Sequence, residues 1–106
     1  MIEIENLRRY SSEGKIFATN HASERFYERR INVADVHNAI NTGEIIEQYP
    51  NDYPYPSALI FGRKLAGEII HVVCGIGEEN LYFITAYEPN KEKFMDDLRT
   101  RRKNNV

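Results

Sequence analysis

The apolar pattern of this chain changes its period at Gly43, and that change decides what it can fold into. Before it, Val33, Val36 and Ile40 recur at spacings of three and four, one stripe of an amphipathic helix. After it, short runs rich in Ile, Val, Tyr and Phe lie between glycines and prolines, the pattern of strands. Helices followed by hairpin-linked strands give an α+β domain, with N-terminal helices packed on a three- to four-stranded antiparallel sheet.

The first half divides into three helical stretches. Residues 3–12 are polar and weakly periodic, anchored by Ile4 and Leu7 and ended by Gly14. Ile16-Phe17-Ala18 is a short extended link. Asn20 is placed to cap a helix over 21–30 that buries Ala22 and Phe26, because its side-chain oxygen can accept from the first free backbone N–H groups. Asn32 is a second cap, and Gly43 stops the third helix. His37 flanks the apolar stripe and is expected as a half-buried packing residue.

The strands follow at 44–49, 57–63, 68–76 and 81–88. Pro50, Pro54 and Pro56 make the stretch between the first two a loop, since proline fixes φ and cannot donate to a ladder. That loop also carries Tyr49, Tyr53 and Tyr55, which could stack on bases or pack on their own domain. Ala66-Gly67 and Glu78-Glu79 mark turns. Asn90 is placed to cap a final helix that turns Phe94, Met95 and Leu98 inward. A polar, frayed tail is expected from Arg101 to Val106.

Alternation assigns faces. In the run 68–76, Ile70, Val72, Cys74 and Ile76 share one apolar side that meets the helices, leaving His71 on the other. In the last strand Ile84 and Ala86 fit the core face, with Thr85 and Tyr87 opposite. The expected core is Phe26, Val36, Ile40, Ile70, Val72 and Ile84.

Composition narrows the class. A chain of 106 residues is expected to form one domain. No apolar run approaches the ~18 residues of a membrane span. Residues 1–14 are charged and lack the apolar stretch of a secretory signal, so a cytoplasmic location is expected. The single cysteine, Cys74, allows no internal disulfide. A net charge of −2 argues against a generic nucleic-acid binder. The basic residues are local, at Arg8-Arg9, Arg29-Arg30 and 99–103, as solvated faces or as a basic groove. The glycines form no phosphate-binding fingerprint.

The chemistry-bearing residues are few. His21 and Arg25 are four apart on one helix face, with Arg29 one turn further. If the two last strands pair antiparallel, His71, Thr85 and Tyr87 project from one side of the sheet. Two imidazoles, a guanidinium and a phenol can run acid–base chemistry on a phosphodiester without metal or cofactor. The helix start at His21 disfavours its protonation, which suits a base. His21 is therefore assigned as base, His71 as acid, Arg25 and Tyr87 as phosphate stabilisers, and Arg29 and Thr85 as substrate-binding groups.

The ordered blocks His21-Ala22-x-x-Arg25, Ile31-Asn32-x-x-Asp35-Val36, Gly43-Glu44-Ile45-Ile46, Tyr49-Pro50, His71-Val72-Val73 and Ile84-Thr85-Ala86-Tyr87-Glu88-Pro89 resemble the bacterial family called domain of unknown function 4258, over about residues 16–98. That resemblance implies a fold like that of RelE, BrnT and MqsR toxins (RelE/barnase-like). It also implies a toxin role, as an endoribonuclease with a cognate antitoxin as partner. The chain departs from the strongly basic composition of ribosome-dependent RelE-type toxins. Two rival classes stand beside this reading. One is a metal-dependent hydrolase using Glu44, Glu47 or Glu68, for which no ligand spacing speaks. The other is a non-catalytic protein-binding module, or inactive toxin relative, that uses the open sheet face.

Overall fold

A computed structural model describes residues 1–103. Three helices, α1 (Ile4–Ser12), α2 (Asn20–Glu28) and α3 (Val33–Thr42), precede most of a five-stranded sheet: β1 (Ile16–Ala18), β2 (Glu44–Tyr49), β3 (Ser57–Arg63), β4 (Ile69–Gly77) and β5 (Asn80–Tyr87). The sheet order is β1-β5-β4-β3-β2. The fold is thus α+β, with two corrections to the expected sheet. It has five strands, and it is mixed: Ile16-Phe17-Ala18 is a strand that runs parallel to β5. Three residues with no alternation carry no strand signal of their own. Leu81 supplies the pairing, donating its N–H to the Lys15 carbonyl at 2.8 Å.

Local chemistry sets the helix ends. Asn32 accepts from the Asp35 N–H at 2.8 Å, while Asp35 reaches back to the Asn32 N–H at 3.1 Å, a reciprocal capping box. Asn20 is the first helical residue rather than a cap; Thr19 takes that role, its Oγ1 accepting from Ala22 at 3.0 Å. A hydroxyl one position earlier satisfies the same orphan donor.

Helices and inner sheet face enclose one core of Leu7, Ala22, Phe26, Val36, Ile40, Ile60, Ile70, Val72, Cys74, Leu81, Phe83 and Ala86. The assigned parity of β4 is the observed one. Gly62 lets α3 sit directly on β3, because a Cβ there would fall 2.6 Å from the Cβ of Ala39. His37 packs as expected, edge-on to Phe83 and 2.5 Å from Ser11 Oγ. Ile84 is a correction. A bulge at Val73/Cys74 pairs Val73 with Thr85 but Cys74 with Phe83, so Ile84 falls out of step and is 42% exposed. Phe83 takes its place inside.

The expected C-terminal helix does not form either. Residues 90–101 make turns that cross the outer face of the sheet and close in an isolated bridge between Phe94 and Arg101. Asn90 Oδ1 does accept from the Glu92 and Lys93 N–H groups at 3.1 Å, as a cap would. A second turn then begins at Asp97, whose carboxylate accepts from Arg99 and Thr100 at 2.9 Å. Short polar side chains compete in this way with a helical ladder. Leu98 sits at φ +58°, which a helix cannot contain. Only Phe94 of the three expected inward residues is buried; Met95 is 46% exposed. The tail is anchored at its start, since Arg102 donates to the Lys91 and Phe94 carbonyls at 2.6 and 3.0 Å. The last three residues of that tail lie outside the described residues.

Candidate functional site

Pairing in register sets the outer sheet face. His71 on β4 lies opposite Tyr87 on β5 and Phe61 on β3. The expectation that these two strands pair antiparallel and share a polar side is met, but the side is not open. The 90–101 segment lies over it, and His71 is 0% exposed. Phe94 meets the imidazole edge-on at 4.5 Å between centroids, and the Tyr87 ring does so at 5.4 Å.

The hydrogen bonds of His71 fix its tautomer. Nε2 is 2.6 Å from the Leu98 carbonyl, which can only accept, so Nε2 carries the proton. Burial holds the imidazole below its ordinary pKa, against the pull of the Leu98 carbonyl and of Glu47. In the neutral ring Nδ1 is then an acceptor, and it lies 3.4 Å from the Tyr87 hydroxyl. Burial raises Tyr87 above the usual phenol value, so it stays protonated at neutral pH.

Charged groups of both signs flank Tyr87. Arg29, the C-cap of α2, donates through Nη1 to Thr85 Oγ1 at 3.1 Å and to the Ala86 carbonyl at 2.9 Å. Arg29, Tyr87, Asn90, Lys93 and Arg101, with Glu88, line a cleft of about 330 Å³. Arg101 is held by Glu47, donating from Nε at 3.2 Å and Nη2 at 3.0 Å, and lies over the Phe94 ring at 4.8 Å. The Tyr49 hydroxyl donates to the same carboxylate. Burial alone would raise Glu47, but the hydrogen bonds from Arg101 and Tyr49 outweigh it and its pKa falls. Tyr49 is pushed up to about 12 by burial and by Glu47.

Of the six residues assigned from sequence, the fold brings four together: Arg29, His71, Thr85 and Tyr87. His21 and Arg25 do not line the cleft that holds Arg29 and Tyr87. His21 is exposed in the first turn of α2, about 12 Å along the helix axis from Arg29. His71 cannot reach a substrate directly, because both ring nitrogens are engaged and the ring is sealed. Arg101, Lys93, Glu47 and Phe94 were missed as site residues. The basic run at 99–103 was the available signal for Arg101. The carboxylates weighed as metal ligands each face a cation: Glu44 pairs with Arg99, Glu47 with Arg101, and Glu68 with Lys64 at 3.7 Å. No group of three His, Cys, Asp or Glu side chains with metal-holding geometry occurs among the described residues. Nor is any helix there long and apolar enough to cross a membrane.

Comparison with curated proteins and with solved structures gives no match. A family model does match, over residues 18–88, from the last residue of β1 to the residue after β5. It takes in Arg29, His71, Thr85 and Tyr87, while Lys93 and Arg101 fall beyond it. On that match, which covers well over half of its length, the chain belongs to the family described as domain of unknown function (DUF4258).

Proposed function

We propose that the protein is a metal-independent endoribonuclease of the toxin type, acting at the Arg29–Tyr87–Arg101 cleft and held in check by a cognate antitoxin. The observation that carries this reading is the Tyr87 hydroxyl, backed by the acceptor Nδ1 of His71 and flanked by Arg29 and Arg101. Tyr87 is the proton-handling group that meets the substrate. The 2′-hydroxyl attacks phosphorus and gives its proton to the Tyr87 oxygen, as the phenol proton moves to His71 Nδ1. The P–O5′ bond breaks, and the proton returns through Tyr87 to the leaving oxygen. Arg29, Arg101 and Lys93 offset the phosphorane charge. His71 is a positioning residue and proton acceptor behind the phenol.

The test is purified protein on labelled RNA in excess chelator, with end-group analysis for a 2′,3′-cyclic phosphate. Tyr87→Phe and Arg29→Ala should each lose about two decades of rate or more. His21→Ala should keep the parent rate. Absence of cleavage across varied RNAs, with and without ribosomes, together with harmless overexpression, would falsify the nuclease reading. The sealing of His71 by Phe94 and Leu98 favours the second reading, a non-catalytic binding module, and that result would leave it standing.

A further inference from the structure

The outer face of the sheet has a second end, away from the cleft. Gly75 and Gly77 continue the His71 side of β4, and they leave that surface low. A Cβ at Gly77 would collide with the ring of Tyr55, which lies flat over it. From there three rings form a row across strands. Tyr55 stacks on Tyr82 at 5.2 Å and 24°, and Tyr82 stacks on Phe17 at 5.6 Å and 22°. The row stops at Phe17 because β1 is the edge strand. Among the described residues no strand follows beyond Phe17, and the residue is 54% exposed.

We propose that this ring row is a stacking site for an unpaired base of single-stranded RNA whose phosphates lie in the Arg29–Lys93–Arg101 cleft. The proposal rests on the RNA reading above and names where the rest of the strand goes. Three features carry it. The rings are already near-parallel at stacking distance, and the next place in the row, past Phe17, is open. Ring row and cleft lie on one face and share β5: Tyr82 and Tyr87 are five residues apart, about 16 Å along a strand, the reach of a few nucleotides. Between them Val73, Ile84 and Thr85 carry no charge of their own, and Arg29 meets Thr85 at the cleft end.

Charge decides which end takes phosphates. The β4–β5 turn places Glu78 beside Tyr55, where a phosphate would be repelled, while Arg29, Lys93 and Arg101 outnumber Glu88 at the Tyr87 end. Bases therefore meet the rings and phosphates meet the arginines. Aromatic stacking tolerates any base, so this end supplies affinity for single strands rather than a sequence code.

The experiment is fluorescence anisotropy of the full chain with a labelled single-stranded RNA oligomer and an abasic oligomer of equal length. A base–ring stack changes affinity by roughly five- to hundredfold. Phe17→Leu and Tyr82→Leu should each weaken binding of the intact oligomer within that range and leave the abasic one unchanged. Phe17→Trp should restore binding; the chain has no other tryptophan, so quenching of its emission by RNA reports the stack directly. Phe17→Leu removes little buried surface, which keeps the test valid if Tyr82→Leu is unstable. Equal binding of intact and abasic oligomers, lost in Arg101→Ala, would overturn the stacking site and leave the cleft. If the parent binds neither oligomer, both readings fall.

Discussion

Leu98 gives its carbonyl oxygen to the Nε2–H of His71 at 2.6 Å, across 27 residues of chain. This bond ties the middle of the sheet to a segment that has no regular ladder of its own. It also sets the His71 tautomer and so turns Nδ1 towards Tyr87. The same segment is pinned at the sheet edge by Arg99 on Glu44 and by Arg101 on Glu47.

Replacing His71 with alanine should therefore cost stability as well as function. It leaves the Leu98 carbonyl without its partner and opens a void under Phe94. The expected loss is about 2–4 kcal/mol in urea unfolding. Hydrogen exchange should show faster opening at the Met95 amide, which donates to Thr100 at 2.7 Å within the segment. An unchanged midpoint and unchanged exchange would mean that the imidazole does not hold the segment.

The pH dependence has a definite sign. Burial lowers the folded-state pKa of His71 below its ordinary 6.5, so below that pH the unfolded chain binds the proton more readily. The contribution is complete above about pH 6.5 and is lost as pH falls towards the folded value. Glu47 and Asp97, both lowered, give up their contributions only at more acid pH, as the carboxylates protonate. Unfolding midpoints taken from pH 7.5 to about 5.5 should fall in the parent and stay flatter in His71→Gln. Parallel slopes in the two proteins would contradict the assignment.

Gly62→Ala should loosen α3 from the sheet. The added methyl meets Ala39 at Cβ, Cα and carbonyl oxygen within 2.7 Å, and two of these three atoms are backbone, so the helix itself must shift. A cost of about 1–3 kcal/mol is expected from overpacking. A variant as stable as the parent would show that the helix can retreat freely.

The β4–β5 hairpin offers a gain. Glu78 and Glu79 both hold positive φ, +51° and +62°, in a two-residue connection between the paired Gly77 and Asn80. Such turns favour Asn-Gly, and a glutamate at each position is strained. Glu78→Asn with Glu79→Gly should raise stability by about 1 kcal/mol in urea. A loss would mean that the two carboxylates make a compensating contribution at the tip.

Much of the framework is local and therefore legible in sequence. The 3.6 and 2.0 periods, the Asn32 cap, the prolines and the turn residues act over a few positions, and they define α1, α3, the hairpins and the inward face of β4. That parity puts His71 and Tyr87 on one side of the sheet, but their direct pairing is set by the bulge at Val73/Cys74. His21 and Arg25 show the limit of the same logic: a shared helix face says which side chains are neighbours, but not what the other end of the helix meets.

The rest was decided by contacts between distant parts of the chain. β1 is a strand because β5 offers it an edge, and Ile84 is outside because one bulge shifts parity. Residues 90–101 leave the helical path because Phe94, the Leu98 carbonyl and Arg101 find better partners on the sheet. Those contacts bury His71, aim its free nitrogen at Tyr87 and place Arg101 beside Arg29 in one cleft. Propensity and period are summed over neighbours in sequence, whereas burial, tautomer and the meeting of two guanidinium groups depend on the sum over neighbours in space.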